Sequence, residues 1–251
     1  MTSLNTPNKP VLLRVSDEIN AALEKHFWLL SVLFVVLFLA CTIARDVRTP
    51  MWNDELFTLH TAQQAGTAEI TKAILDGCDG APPLYDLIVH AILPVVRNDA
   101  LAVRLPSSLA FCAMLLCLLA FCRRRLTAAY SMAAVLLVCN VCLSYSAEGR
   151  CYGAVLGCSA GALLCWQSVI EGRRRILTIP LLALCVALMT ALHYYSIFFL
   201  GPLFLAEMAR WKTSRKLDWG VLVAAVPVLL VLGLHHPFIV AAAPFQKHFW
   251  S

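Results

Sequence analysis

The chain has 251 residues, of which 60% are hydrophobic and 14% are charged, and its mean hydropathy is +0.75. A soluble domain is about 45–50% apolar and roughly 25% charged, so this composition excludes an ordinary water-soluble fold. The net charge of +5 does not indicate a nucleic-acid partner, because the basic residues lie in short runs between apolar stretches. The composition therefore predicts an all-α integral membrane protein, embedded in membrane lipids and built from spans of about 20 residues.

Long apolar runs separated by polar segments divide the chain into predicted membrane spans. Residues 1–26 are predicted to form a cytoplasmic tail, and the uncharged run 27–44 is long enough to be the first span. The polar stretch 45–104 is predicted to be an extracytoplasmic loop that contains interfacial helices. Six further spans are expected within 105–236, followed by an extracytoplasmic end at 237–251.

The distribution of Lys and Arg predicts the topology. Basic clusters tend to face the cytoplasm, and this chain has three, at 123–125, 173–175 and 210–216. An even number of spans must then separate each pair, so the long apolar run 176–206 is predicted to be a hairpin that turns near 193–196. The same requirement makes 83–96 an interfacial helix rather than a span. The prediction is seven spans in the cell (inner) membrane, with a cytoplasmic N-terminus.

The first candidate site is the pair Asp54 and Glu55, in the sequence WNDELFTLH of the extracytoplasmic loop. A helix is predicted here because three apolar residues share one face at helical spacing, namely Trp52, Leu56 and Leu59. Asn53 is predicted to be its N-cap. The two acidic residues can simply favour the start of this helix. Alternatively, one of them is a general base held at the membrane surface.

Four further motifs lie on the predicted extracytoplasmic side and supply these candidates: Tyr85, Arg104, Glu148, Arg150, Tyr152, His193, Tyr194 and Tyr195. Each motif alone also fits a structural role, such as a Pro-Pro helix start, an interfacial arginine, a charge pair in a turn or an aromatic belt. Together they predict one extracytoplasmic mouth with a carboxylate pair, arginine, histidine and tyrosines. Such a set suits a base next to a phosphate clamp.

The ordered motifs WNDELFT, APPLY, RLPS, CRRRL, YSAEGRCY and LHYY resemble those of the GT-C membrane glycosyltransferases, over roughly residues 27–210. The resemblance is closest to the bacterial branch with the aminoarabinose transferase of lipid A and the Rgt-type lipopolysaccharide sugar transferases. Protein O-mannosyltransferases are more distant relatives. The resemblance implies a GT-C core module with its active site on the periplasmic or extracellular side.

The resemblance further implies transfer of a sugar from a polyprenyl-phosphate donor to a lipid, glycan or protein acceptor, with inversion. Asp54 matches the family's base, and Glu55 is its neighbour. The donor is expected to contact Arg150, Arg104, His193 and Tyr152, and the pocket lining is expected to include Glu148, Tyr85, Tyr194 and Tyr195. No cofactor is implied. A divalent metal is compatible with the sequence but not indicated, because no ligand spacing for one is present.

Two departures from the family pattern matter. Ala81 stands where relatives often carry a Lys or His that approaches the lipid phosphate, so Arg104 or Arg150 is expected to serve instead. Relatives usually run well beyond 251 residues, so the chain is expected to be a truncated form or the shared core. Two alternatives therefore stay open beside the enzyme: a multi-pass transporter or flippase, and a non-catalytic core fragment.

Overall fold

The computed structural model describes the backbone of residues 11–249 and the side chains of 15–243. The described chain is helical throughout, without a strand. Its α-helices are α1 (Val11–Asp46), α2 (Asn53–Ala62), α3 (Thr67–Leu75), α4 (Leu84–Ile92), α5 (Asp99–Arg123), α6 (Ala128–Val141), α7 (Tyr152–Ile170), α8 (Arg175–Leu192), α9 (Leu200–Ser214) and α10 (Trp219–Phe249). Short 3-10 helices at Leu143–Ala147 and Tyr194–Phe199 precede α7 and α9.

Five helical segments of the described chain are long and apolar enough to cross a membrane, at Val15–Asp46, Asp99–Arg123, Tyr152–Ile170, Arg175–Leu192 and Trp219–Ala243. The all-helical, membrane-embedded class predicted from the sequence is therefore confirmed. The shorter apolar helix α6 and the more polar α9 have only 14 and 15 residues. At about 1.5 Å per residue each falls short of a hydrocarbon core roughly 30 Å thick, so the count of seven spans stays a prediction.

Several helix boundaries differ from the predicted segments. The predicted tail is already helical from Val11, and the backbone leaves helical geometry at His26, one residue before the predicted first span. At the other end α10 continues to Phe249 instead of ending near His236. Residues 1–10 of the predicted tail and residues 250–251 of the predicted extracytoplasmic end lie outside the described residues.

The apolar run 176–206 is interrupted where the sequence predicted a turn. Helix α8 ends at Leu192, and His193 adopts extended backbone angles of φ −157° and ψ 124°. The His193 side chain then accepts a hydrogen bond from the backbone N–H of Tyr195, at 3.2 Å. This local bond redirects the chain into the 3-10 helix, because it offers the backbone a partner outside the α-helical ladder.

Helices α5, α7 and α8 form the centre of the bundle, and glycines let α5 and α7 approach closely. A Cβ added to Gly157 would lie 2.5 Å from the carbonyl oxygen of Ala110, and one added to Gly153 would lie 2.8 Å from that of Ser107. Small residues at helix interfaces allow such backbone contact in membrane proteins. The close packing brings the turn before α7 against the first turns of α5.

The polar stretch 45–104 folds as three short helices, α2 to α4, that cap one end of the bundle. A buried apolar cluster joins them to the long helices through Leu59, Tyr85, Val89, Val103 and Leu192. The predicted interfacial helix within 83–96 corresponds to α4, whose nine residues are too few to span a bilayer. The cap therefore lies over the N-terminal ends of α5 and α7 and the C-terminal end of α8.

Candidate functional site

Under the cap, Glu55 and Arg104 form a fully buried ion pair. The Arg104 guanidinium donates from Nε to Glu55 Oε1 at 2.8 Å and from Nη2 to Oε2 at 2.5 Å, and the two side chains are 3% and 1% exposed. Glu55 also accepts from the backbone N–H of Gly149 at 2.7 Å and from that of Trp52 at 3.3 Å. The pair therefore ties α2 to α5 and to the turn before α7.

All five N–H donors of Arg104 are engaged. Besides the two bonds to Glu55, Nη1 donates to the carbonyl oxygens of Asp46 and Thr49, and Nη2 donates to that of Pro50, over 2.8–3.0 Å. An arginine has five such donors in a fixed plane, so none is left for a ligand. This geometry argues against the predicted contact of Arg104 with the donor phosphate, because the guanidinium instead holds the end of α1 and the turn that follows it.

The capping geometry of α2 separates its two acidic residues. Helix α2 begins at Asn53 with Trp52 as N-cap, so the prediction of Asn53 as the N-cap is wrong. The N–H of Trp52 needs an acceptor, and Glu55, three residues on, provides it as in a capping box. Glu55 is thereby turned inward, and Asp54 is exposed. Within the part of the chain that the structure describes, no hydrogen bond or ion pair engages the Asp54 carboxylate.

Arg150 extends from the turn before α7 into the cap, where its main partner is Asp79. Nη1 and Nη2 of Arg150 donate to the two oxygens of Asp79 at 2.6 and 3.3 Å. Nη1 also donates to Thr58 Oγ1 at 3.2 Å and lies 3.5 Å from the Asp54 carbonyl oxygen. Burial acts to lower the pKa of Arg150, but the ion pair with Asp79 raises it overall. One arginine therefore joins α2, the loop before α4 and the start of α7.

A polar pocket of about 180 Å³ opens beside Arg150. Its walls are Asp79, Gly80, Ala81, Pro82, Arg150, His193, Tyr194 and Tyr195. Typical ligand sites have about 300–1,000 Å³, so this pocket fits one small polar group rather than a whole lipid. Predicted site residues from two distant motifs, Arg150 and His193 to Tyr195, thus line the same pocket.

Aromatic rings extend along the rim of this pocket. The His193 ring centroid lies 5.6 Å from that of Tyr152 and 5.4 Å from that of Tyr195, and Tyr145 lies 5.6 Å from Tyr152. Burial lowers the pKa of His193, and the positive charge of Arg150 lowers it further. Both effects favour the neutral form of the His193 ring.

Two predicted lining residues occupy different surroundings. Tyr85 is fully buried; its hydroxyl donates to the Val103 carbonyl oxygen at 2.8 Å and lies 3.2 Å from Ser107 Oγ. The prediction that Tyr85 lines the pocket is therefore not supported, because its ring belongs to the core between α4 and α5. Glu148 is half-buried; burial raises its pKa, and the negative charges of Glu55 and Asp54 add to the rise. Glu148 is thus close enough to Glu55, Arg150 and Asp54 to sense their charges.

Two acidic residues of the cap, Asp79 and Asp86, were not predicted from the sequence as site residues. Asp79 lies in the Asp-Gly turn before the Pro-Pro motif and also accepts from the backbone N–H of Ala81 at 3.0 Å. Asp86 is 2% exposed; burial raises its pKa to about 7, and the charge of Asp79 contributes. An Asp-Gly turn directly before a motif already singled out was a usable signal for Asp79. Asp86 lies within the predicted interfacial helix 83–96, and only the folded chain shows that it is buried.

Among the residues described, no three His, Cys, Asp or Glu side chains are grouped as a metal ion would require. Comparison of the chain with protein-family models, with curated proteins and with solved structures found no match.

Proposed function

We propose that the protein is a membrane glycosyltransferase that moves a sugar from a polyprenyl-phosphate donor to an acceptor by an inverting reaction. One observation carries the proposal: Arg150 lines the polar pocket and also contacts α2 at the base of Asp54. The largely buried guanidinium of Arg150 therefore reaches the backbone of the residue whose exposed carboxylate has no described partner. General-base and anion-binding groups are required together for this chemistry.

In the proposed reaction the Asp54 carboxylate removes the proton from an acceptor hydroxyl or amine. The acceptor atom forms a bond to the anomeric carbon, and the bond from that carbon to the phosphate oxygen breaks. The electron pair leaves with polyprenyl phosphate, which is stable as an anion and needs no strong acid. Since the acceptor attacks opposite the leaving group, the anomeric configuration is inverted.

The phosphate is proposed to bind Arg150. Asp79 already neutralises this guanidinium, so the phosphate either displaces the Asp79 carboxylate or shares the remaining N–H donors with it. Arginine binds carboxylate and phosphate with the same bidentate, charge-assisted geometry, so a phosphate can take the place of the Asp79 carboxylate. His193 and Tyr152 stand on the same rim and are proposed to contact the sugar. Glu55 and Arg104 are proposed to position α2 rather than to react.

The test is release of free polyprenyl phosphate from lipid-linked sugars of several kinds by the purified chain in detergent. Asp54→Asn is expected to reduce turnover by about 10²–10⁴-fold, because it removes the base. The matched control is Asp76→Asn, an exposed aspartate on the same cap at the end of α3, which should leave turnover unchanged.

Other outcomes would reject the proposal. Equal release by the Asp54→Asn and wild-type chains would remove Asp54 from the reaction. Absence of release with every donor, from this chain and from any longer natural form, would favour a transporter or flippase. Release from a longer form alone would identify the chain as a non-catalytic core.

A further inference from the structure

The end of the bundle remote from the cap carries six arginines, here called the basic end: Arg123, Arg124, Arg125, Arg173, Arg174 and Arg175. Their ion pairs involve three carboxylates. Glu24 pairs with Arg123, Asp218 pairs with Arg175, and Glu171 is shared by Arg124, Arg125 and Arg173. Arginines therefore outnumber their acidic partners, and the excess positive charge is concentrated around Glu171.

A wide pocket lies within this excess charge. It has a volume of about 570 Å³ and is lined by Arg124, Ser168, Arg173, Arg174, Leu177 and Thr178. Arg124 is held in place, because its Nη1 donates to Ser168 Oγ at 2.9 Å and lies 3.5 Å from Glu171 Oε2. Arg174 is exposed, and the structure shows no hydrogen bond or ion pair of its side chain with any described residue. The pocket thus combines one fixed guanidinium with one uncommitted guanidinium.

The N-terminus of α8 adds to the positive potential. Arg174 is the N-cap of α8, and no side chain caps the helix there. The first N–H groups of a helix lack intrahelical acceptors and carry the positive end of the helix dipole. The pocket therefore combines several features that favour an oxyanion.

The apolar surroundings identify the kind of anion. Ile176 and Leu177 come directly after Arg175 and are 95% and 54% exposed. Both stand on α8, one of the helices long and apolar enough to cross a membrane. A free inorganic anion gains nothing from contact with such side chains, whereas an acyl chain buries them. Guanidinium groups next to exposed apolar residues at the end of a spanning helix match a phospholipid at the level of its headgroup.

We propose that this pocket binds the headgroup phosphate of an anionic membrane lipid between Arg124 and Arg174, with the acyl chains along Ile176 and Leu177. The site is separate from the cap and does not depend on glycosyl transfer. Each basic residue near an anionic lipid contributes about a fivefold gain in affinity, so two together contribute roughly 30-fold.

The test measures lipid affinity of the purified full chain by native mass spectrometry, with phosphatidylglycerol, phosphatidylcholine and inorganic phosphate as separate probes. Phosphatidylglycerol is expected to bind most tightly, and its affinity should fall as the salt concentration is raised. Arg124→Gln with Arg174→Gln should lose about 30-fold in phosphatidylglycerol affinity. The control variant, Arg48→Gln with Arg97→Gln, removes two exposed arginines near the cap. It should keep the wild-type affinity for phosphatidylglycerol.

Three results would overturn the proposal. They are equal affinities for phosphatidylglycerol and phosphatidylcholine, unchanged phosphatidylglycerol affinity in the double variant, or tight binding of inorganic phosphate itself, which would indicate a soluble anion. Because loss of Arg124 breaks its contact with Ser168, Arg174→Gln alone is the second variant. It disturbs no described contact and should still lose about fivefold.

Discussion

Replacement of the neighbouring carboxylates Asp54 and Glu55 by amides should affect stability very differently. In Glu55→Gln the size is kept, but the charge that balances buried Arg104 is lost and an amide N–H₂ faces a guanidinium. Removing one partner of a buried ion pair costs about 3–5 kcal/mol. For a chain of this length each kcal/mol lowers the melting temperature by about 2–4 °C, which gives a loss of roughly 6–20 °C.

The assay is thermal unfolding followed by intrinsic tryptophan fluorescence in a single detergent. Asp54→Asn is the matched control, because the exposed Asp54 carboxylate has no described partner, and its effect should stay within about 0.5 kcal/mol. Arg104→Lys should also be destabilised, since an ammonium group cannot reach three carbonyl oxygens and a carboxylate in one plane. If Glu55→Gln and Asp54→Asn melt at the same temperature, the assignment of Glu55 to a structural ion pair is wrong.

Two further predictions concern packing and pH. Gly157→Ala should destabilise the protein by about 1–3 kcal/mol, because the new Cβ would lie 2.5 Å from the carbonyl oxygen of Ala110. Gly201→Ala is the control, because a Cβ there meets open space and should not destabilise α9. Thermal unfolding of the two variants checks this. Burial raises the pKa of Asp86 to about 7, so folded protein holds a proton that unfolded protein releases above about pH 4. Stability should therefore fall as the pH rises through about 4–7. Asp86→Asn should reduce this fall and be more stable than the wild type at pH 8 by about 4 kcal/mol, whereas Asp76→Asn should behave like the wild type. Unfolding measured from pH 4 to 8 checks this.

Much of the fold followed from local patterns in the sequence. Runs of apolar residues predicted helices, because a chain in lipid must satisfy every backbone N–H and C=O within its own segment. The interruption after Leu192 was also predicted, since an aromatic and polar cluster divides an apolar run too long for one comfortable span. Helix ends were harder to predict. Helix α10 passes His236 without interruption, because local polarity does not stop a helix that keeps its hydrogen bonds.

The candidate site shows where local patterns were insufficient. The sequence put Asp54, Glu55, Arg104 and Arg150 on one side of the membrane, but it could not pair them. Arg104 lies 49 residues from Glu55, and Arg150 lies 71 residues from Asp79. Such pairs depend on how α2, α5 and the turn before α7 pack, and spacing within any one helix carries no information about that.

The sequence by itself determined that the chain is helical, apolar and membrane-embedded, because the bilayer imposes that solution on any chain of this composition. Only the tertiary structure decided which of two adjacent carboxylates faces inward. Successive residues of a helix point about 100° apart, so once Glu55 turns toward Arg104, Asp54 must point elsewhere. The contact with α5 thus fixes the orientation of α2 and leaves the Asp54 carboxylate exposed.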